Sequence, residues 1–109
     1  MLASGTVLLQ AGEPDKAESL ARQCVEVRRR SLPAGHWQVA EAQSLLGACL
    51  QAQHKFERAE EQLLQSLDAL RESRGPSDEH TRTAIRRLRK LYEAWGRPLE
   101  AAKYRANAP

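Results

Sequence analysis

The chain has 109 residues, with 17 Lys and Arg against 14 Asp and Glu and a formal net charge of +3. Apolar residues make up 41% and aromatic ones 5%; Ala and Leu dominate and β-branched residues are scarce, which favours helix over sheet. This is one domain with a modest core. No apolar run reaches the roughly 18 residues a membrane-spanning helix needs, two cysteines are too few for a disulfide framework, and a mild positive excess with interspersed signs does not imply nucleic acid. Met1 to Gly12 carries no basic leader, and Cys24 and Cys49 are read as free thiols, so the expected location is the cytoplasm.

The apolar spacing predicts six helices in chain order. The first covers 1–11, and Gly12-Glu13-Pro14 ends it. Glycine stands where a helix end takes a left-handed residue, and proline where the next helix makes its first turn. The second, over 14–31, sets Ala17, Leu20, Cys24 and Val27 at steps of three and four. Its end is Arg28-Arg29-Arg30, on what is expected to be the convex side, where cations favour the helix dipole by about 0.3–1 kcal/mol. Leu32-Pro33-Ala34-Gly35 breaks the chain before a third helix over 37–53, with Val39, Ala42, Leu46 and Leu50 on one stripe. His54 then occupies the glycine slot, at some strain. A fourth helix over 56–73 carries Phe56, Ala59, Leu63, Leu67 and Leu70, and Arg74-Gly75-Pro76-Ser77 ends it. The fifth covers 79–95, Gly96-Arg97-Pro98 repeats the first turn, and the sixth covers 98–107.

Displacing the chain by 42 residues superposes it on itself. Ala17, Ala59 and Ala101 coincide, as do Leu8, Leu50 and Tyr92, and Gly12, His54 and Gly96. Small residues fall on small ones and turn residues on turn residues, which marks a repeat of helix pairs. The units run over about 1–31, 37–73 and 79–107, the first about six residues short at its start. Gly47 with Ala59, and Gly5 with Ala17, are expected to let paired helices approach closely. Arg89 stands in the glycine position of the third unit, which puts the tightness of its pairing in question.

Leu46-Gly47-x-x-Leu50 and His54-Lys55-Phe56-x-x-Ala59 resemble the two helices of a tetratricopeptide repeat. The 42-residue period, with His36-x-x-Val39-Ala40 opening the unit, is similar to the kinesin-light-chain type, although Trp37 replaces the proline usual after that His. The resemblance implies an all-α, right-handed α-solenoid of about three repeats, as a single domain over 1–109. The C-terminal end, with Lys103, Arg105 and Asn107, reads as a polar cap. The N-terminal end, with Leu2, Val7, Leu8 and Leu9, would expose apolar surface. This suggests the C-terminal part of a longer array, or a surface for self-association.

In such a solenoid the first helix of each unit lines a concave face that binds a protein or peptide. The inward stripe is then Thr83, Arg86, Lys90 and Glu93 in the third unit and Glu41, Ser44, Ala48 and Gln51 in the middle one. In the first it is Leu2, Thr6 and Leu9. The stripe runs from apolar to basic, and Arg82, Arg87 and Arg89 add to its basic end. It suits a peptide with an acidic group beside Arg86 and Lys90; the other reading of Arg82 to Lys90 is a solvated helix face. The paired basic residues resemble the carboxylate clamp of chaperone-binding repeats, but the asparagines that complete it are missing. Self-association through the open N-terminal end is the alternative role. Nucleic-acid binding through Arg28–Arg30 would need aromatic side chains nearby, and none are.

Chemistry finds little support. His36, His54 and His80 sit in separate turns or helix starts without a partner at ligand spacing, and Cys24 and Cys49 are 25 apart. No phosphate loop, nucleophile elbow or acid/base constellation is present. The expectation is a binding module, not an enzyme, without cofactor or metal and without a membrane span. Trp37 and Trp95 read as packing at unit boundaries.

Overall fold

A computed structural model describes residues 2–105 of the chain. Met1, residues 106–109 and the side chain of Arg105 lie outside the described residues, and with them the extreme ends of the first and last predicted helices and the Arg105 and Asn107 side chains of the expected cap. The described residues form six helices and no strand: α1 (Leu2–Gln10), α2 (Pro14–Ser31), α3 (Trp37–Ala52), α4 (Phe56–Arg74), α5 (Glu79–Ala94) and α6 (Pro98–Arg105). The starts of α2, α4 and α6 are 42 residues apart, and so are those of α3 and α5.

The three turns inside the units share one hydrogen-bond pattern. Glu13 N–H donates to the Leu8 carbonyl, Lys55 N–H to Leu50 and Arg97 N–H to Tyr92, at 2.8–2.9 Å. Each spans five residues, the helix-ending motif that needs a left-handed residue in between. Gly12 and Gly96 supply it in two turns, and His54, at φ 62°, supplies it in the third. The helices that open the second and third units are capped by side chains instead. His36 Nδ1 accepts from Gln38 N–H at 3.1 Å, and an Asp78 carboxylate oxygen accepts from His80 N–H at 3.0 Å.

Helix α3 is the centre of the molecule. It packs against α1, α2, α4 and α5, and from Val39 to Leu50 every residue except Glu41 is buried. An apolar stripe therefore understates it: a helix surrounded on most sides needs apolar or small residues all round. The neighbouring α4 buries one face, with Ala59, Leu63, Ser66, Leu67 and Leu70.

The α3–α4 crossing is close because Gly47 has no side chain. A Cβ there would stand 2.5 Å from Leu63 Cγ and 3.4 Å from the Ala59 carbonyl oxygen. Gly5 faces Leu45 of the next unit as well as the Ala17 carbonyl. Arg89 does not prevent pairing in the third unit. Helices α5 and α6 pack together, Ala101 is fully buried, and the guanidine-bearing side chain of Arg89 is only half-buried.

Both tryptophans lie at unit boundaries. Trp37 lies tilted against His80 at 4.9 Å under the guanidinium of Arg74, and Trp95 lies against Phe56 at 5.7 Å and under Arg97 at 3.7 Å. On α1, Leu2, Leu8 and Leu9 are half-buried against the core and Val7 is 62% exposed. The apolar surface expected at this end is thus smaller than the four residues suggest, because packing on α2 and α3 absorbs three of them.

Candidate functional site

The first helices of the units lie side by side, α1 on α3 and α3 on α5. Between them opens a cavity of about 180 Å³ lined by Leu2 and Thr6 from α1, Glu41, Ser44 and Leu45 from α3, and His80, Thr83 and Arg87 from α5. The fold brings these together because a 42-residue period places equivalent helix faces at one flank. Glu41 and Thr83 are equivalents, and His80 sits one turn before Thr83, so it faces the Glu41 slot of the preceding unit.

The cavity takes in Glu41, Ser44 and Thr83 of the predicted stripe. Ala48 and Gln51 continue along α3 outside its lining, Ala48 buried and Gln51 half-buried. Arg86, Lys90 and Glu93 are exposed along α5, and Arg86 donates to Thr83 Oγ1 at 3.1 Å. The basic side chain that enters the cavity is instead Arg87, whose Nη1 donates to Ser44 Oγ at 2.8 Å. A helix turns 100° per residue, so a stripe drawn through Arg86 leaves Arg87 off it. Packing of α5 on α3 selects the second.

Arg87 is half-buried and makes no ion pair among the described residues. Burial pulls its pKa below the ordinary arginine value, helped by Arg86 and opposed by Glu41 and the Cys49 thiol. Cys49 is itself fully buried, and burial pushes its pKa up to about 11. At neutral pH it is a protonated thiol packed in the core, outside the cavity lining. Both cysteines are free.

Glu41 is the acid of the site and is already engaged. Arg28 Nη1 donates to its Oε1 at 2.9 Å and to the Gln38 carbonyl at 2.6 Å, and His80 Nδ1 lies 3.3 Å from its Oε2. Arg28 therefore belongs to the joint between units and not to the convex surface expected for the Arg28–Arg30 run. Arg29 and Arg30 stay exposed, Arg30 pairing with Glu26 on its own helix. Sequence spacing does not reveal the His80–Glu41 pair, since 39 residues separate them. The signal is present only once the repeat register is applied.

No group of three or more His, Cys, Asp or Glu side chains placed to hold a metal occurs among the described residues, and no described helix is long and apolar enough to cross a membrane. A family model described as tetratricopeptide repeat matches residues 38–104, and a second with the same description, of the kinesin-light-chain-like type, matches residues 5–38. A comparison with curated proteins finds no match.

Proposed function

From the chain's membership of the tetratricopeptide repeat family, we propose that it acts as a protein-interaction module. Its partner is a segment of another protein laid across α1, α3 and α5, with an acidic side chain toward α5. Repeats of this family are generally interaction modules. The observation that favours this face is Arg87, a half-buried cation beside an open cavity whose one hydrogen-bond acceptor among the described residues is a hydroxyl. A charge removed from water without a counter-charge is costly, and an anionic group from a partner offsets that cost. Along the same flank Arg86 and Lys90 extend the positive potential, while Leu2 and Leu9 offer apolar contact. Charge-assisted contacts of this kind contribute about 1.5–3 kcal/mol each when partly desolvated. A preformed face limits the ordering cost of association.

The test is a panel of labelled decapeptides with blocked ends, carrying Glu or Asp together with Leu at varied spacing, measured by fluorescence anisotropy. Acidic members bind and their Gln counterparts do not. The double change Arg86→Glu with Lys90→Glu weakens binding at least tenfold while the helical circular dichroism stays unchanged. Equal affinity of the double variant moves the site off this face.

A further inference from the structure

Resting on that reading of the face, we propose that the cavity between Glu41, Ser44, His80 and Arg87 holds one acidic side chain of the bound partner, and that His80 takes up a proton as it does so.

The donor set is suited to a single carboxylate. Arg87 uses one N–H on Ser44, and the rest of its planar fork makes no hydrogen bond among the described residues. Ser44 accepts from Arg87, so its own hydroxyl proton can turn to a ligand. A cavity of about 180 Å³ has room for a short carboxylate-bearing side chain, and Leu2 and Leu45 form its apolar wall.

His80 decides how well the carboxylate is received. With Nδ1 directed at Glu41 Oε2, the neutral ring has one N–H, and its other nitrogen carries a lone pair that repels an incoming anion. Protonation turns that lone pair into a second donor on a ring that already lines the cavity. Histidine is the side chain whose ordinary range allows this change between pH 5 and 8. The charged groups around it are Glu41 on α3, Arg28 of α2 reaching the same carboxylate, and Arg87 and Glu79 on α5. Asp78 caps α5, and Arg74 of α4 contacts Asp78 and covers Trp37. Helix α1 contributes no titratable group to the cavity lining. The Trp37 ring lies 4.9 Å from the His80 ring, tilted by 35°. Of these groups Glu41, Asp78 and Glu79 are anionic, and Arg28, Arg74 and Arg87 are cationic. The carboxylate of a partner tips the balance toward the charged ring.

The linkage has a defined sign. A proton bound more tightly in the complex makes the complex tighter as pH falls from 8 toward 6.

The probes are propionate, which copies the end of a glutamate side chain, and propionamide, which has its shape without its charge. Each is titrated into the full chain while nuclear magnetic resonance follows the Arg87 Nε–H and the His80 ring at pH 6 and pH 8. Propionate shifts both residues and binds several-fold more tightly at pH 6 than at pH 8. Propionamide shifts neither. In His80→Gln the affinity for propionate is the same at both pH values, and in Arg87→Gln it is lost at both. Equal effects of the two probes, pH-independent binding in the unaltered chain, or a pH dependence that survives His80→Gln each overturn the proposal. Propionate binding with no peptide of the panel bound would leave the subsite standing and remove the broader reading. Peptide binding unaffected by His80→Gln across pH would do the reverse.

Discussion

The phenol of Tyr92 on α5 donates a 2.7 Å hydrogen bond to Glu60 on α4, joining the second and third units from beneath a ring that is itself 2% exposed. Burial and then the Glu60 carboxylate push the Tyr92 pKa well above the ordinary phenol value. A raised folded-state value stabilises the fold fully below the unfolded pKa, about 10, and that contribution is lost as pH rises. Tyr92→Phe is therefore expected to cost about 1 kcal/mol at pH 7. The difference from the unaltered chain should shrink above pH ~10. Urea melts at pH 7 and pH 10.5 measure it, and a constant gap would contradict the assignment.

Gly47 and Gly5 are predicted to respond differently to the same change. At Gly47 an added Cβ meets the branch atom of Leu63 at 2.5 Å, and at Gly5 it meets the terminal Cδ2 of Leu45 at 2.9 Å. A terminal methyl moves by a small rotation, whereas a branch point carries its whole side chain with it. Gly47→Ala should destabilise by about 1–3 kcal/mol despite the better helix propensity of alanine. Gly5→Ala should stay within roughly 1 kcal/mol of the unaltered chain, because the propensity gain offsets a smaller clash. Thermal unfolding of the two variants side by side gives the comparison.

Thr81 is fully buried on α5, and its hydroxyl oxygen has no hydrogen-bond partner among the described residues. The shape-matched change Thr81→Val removes an unsatisfied polar atom and puts a methyl in its place. It should stabilise the chain by about 1 kcal/mol, seen as a higher urea midpoint with an unchanged slope. A loss of stability would mean that the hydroxyl has a partner.

Acid should weaken one particular joint. Burial works against ionisation of Glu18 on α2, but hydrogen bonds from Gln53 and Arg22 and the charges of Arg22 and Lys55 outweigh it, holding the carboxyl below its ordinary value. Gln53 donates to Glu18 Oε1 at 2.7 Å from the turn after α3, and Lys55 lies 3.6 Å away. A lowered folded-state value means stability that is present above the unfolded pKa, about 4.3, and lost as pH falls through the folded one. Glu18→Gln should thus be less stable than the unaltered chain at pH 7 and nearly equal to it at pH 3. Denaturant midpoints across that range check the convergence.

Much of this architecture is legible in the residues themselves because its signals are local. Gly12, Pro14, Gly96 and Pro98 write turn chemistry directly into the chain, and the shared register of His54 with Gly12 and Gly96 identifies a left-handed residue that composition would miss. Steps of three and four place Leu63, Leu67 and Leu70 on one face because a helix returns to the same side at that interval. The 42-residue period then fixes which helices are equivalents.

The site was legible only as a flank. Glu41, Ser44 and Thr83 are where the repeat places them, but Arg87 replaces Arg86 at the cavity, Arg28 turns inward from its basic run, and His80 meets Glu41. These outcomes depend on the rotation of one packed helix against another. Side-chain volume, close approach and competition for a few hydrogen-bond acceptors set that rotation, and no single helix carries the information. Sequence alone determined the elements and their repetition, since short-range sterics and periodic burial act within a few residues. Tertiary structure alone decided which charges share a cavity, because a shift of one residue around a helix is 100° and only contact with a neighbour selects it.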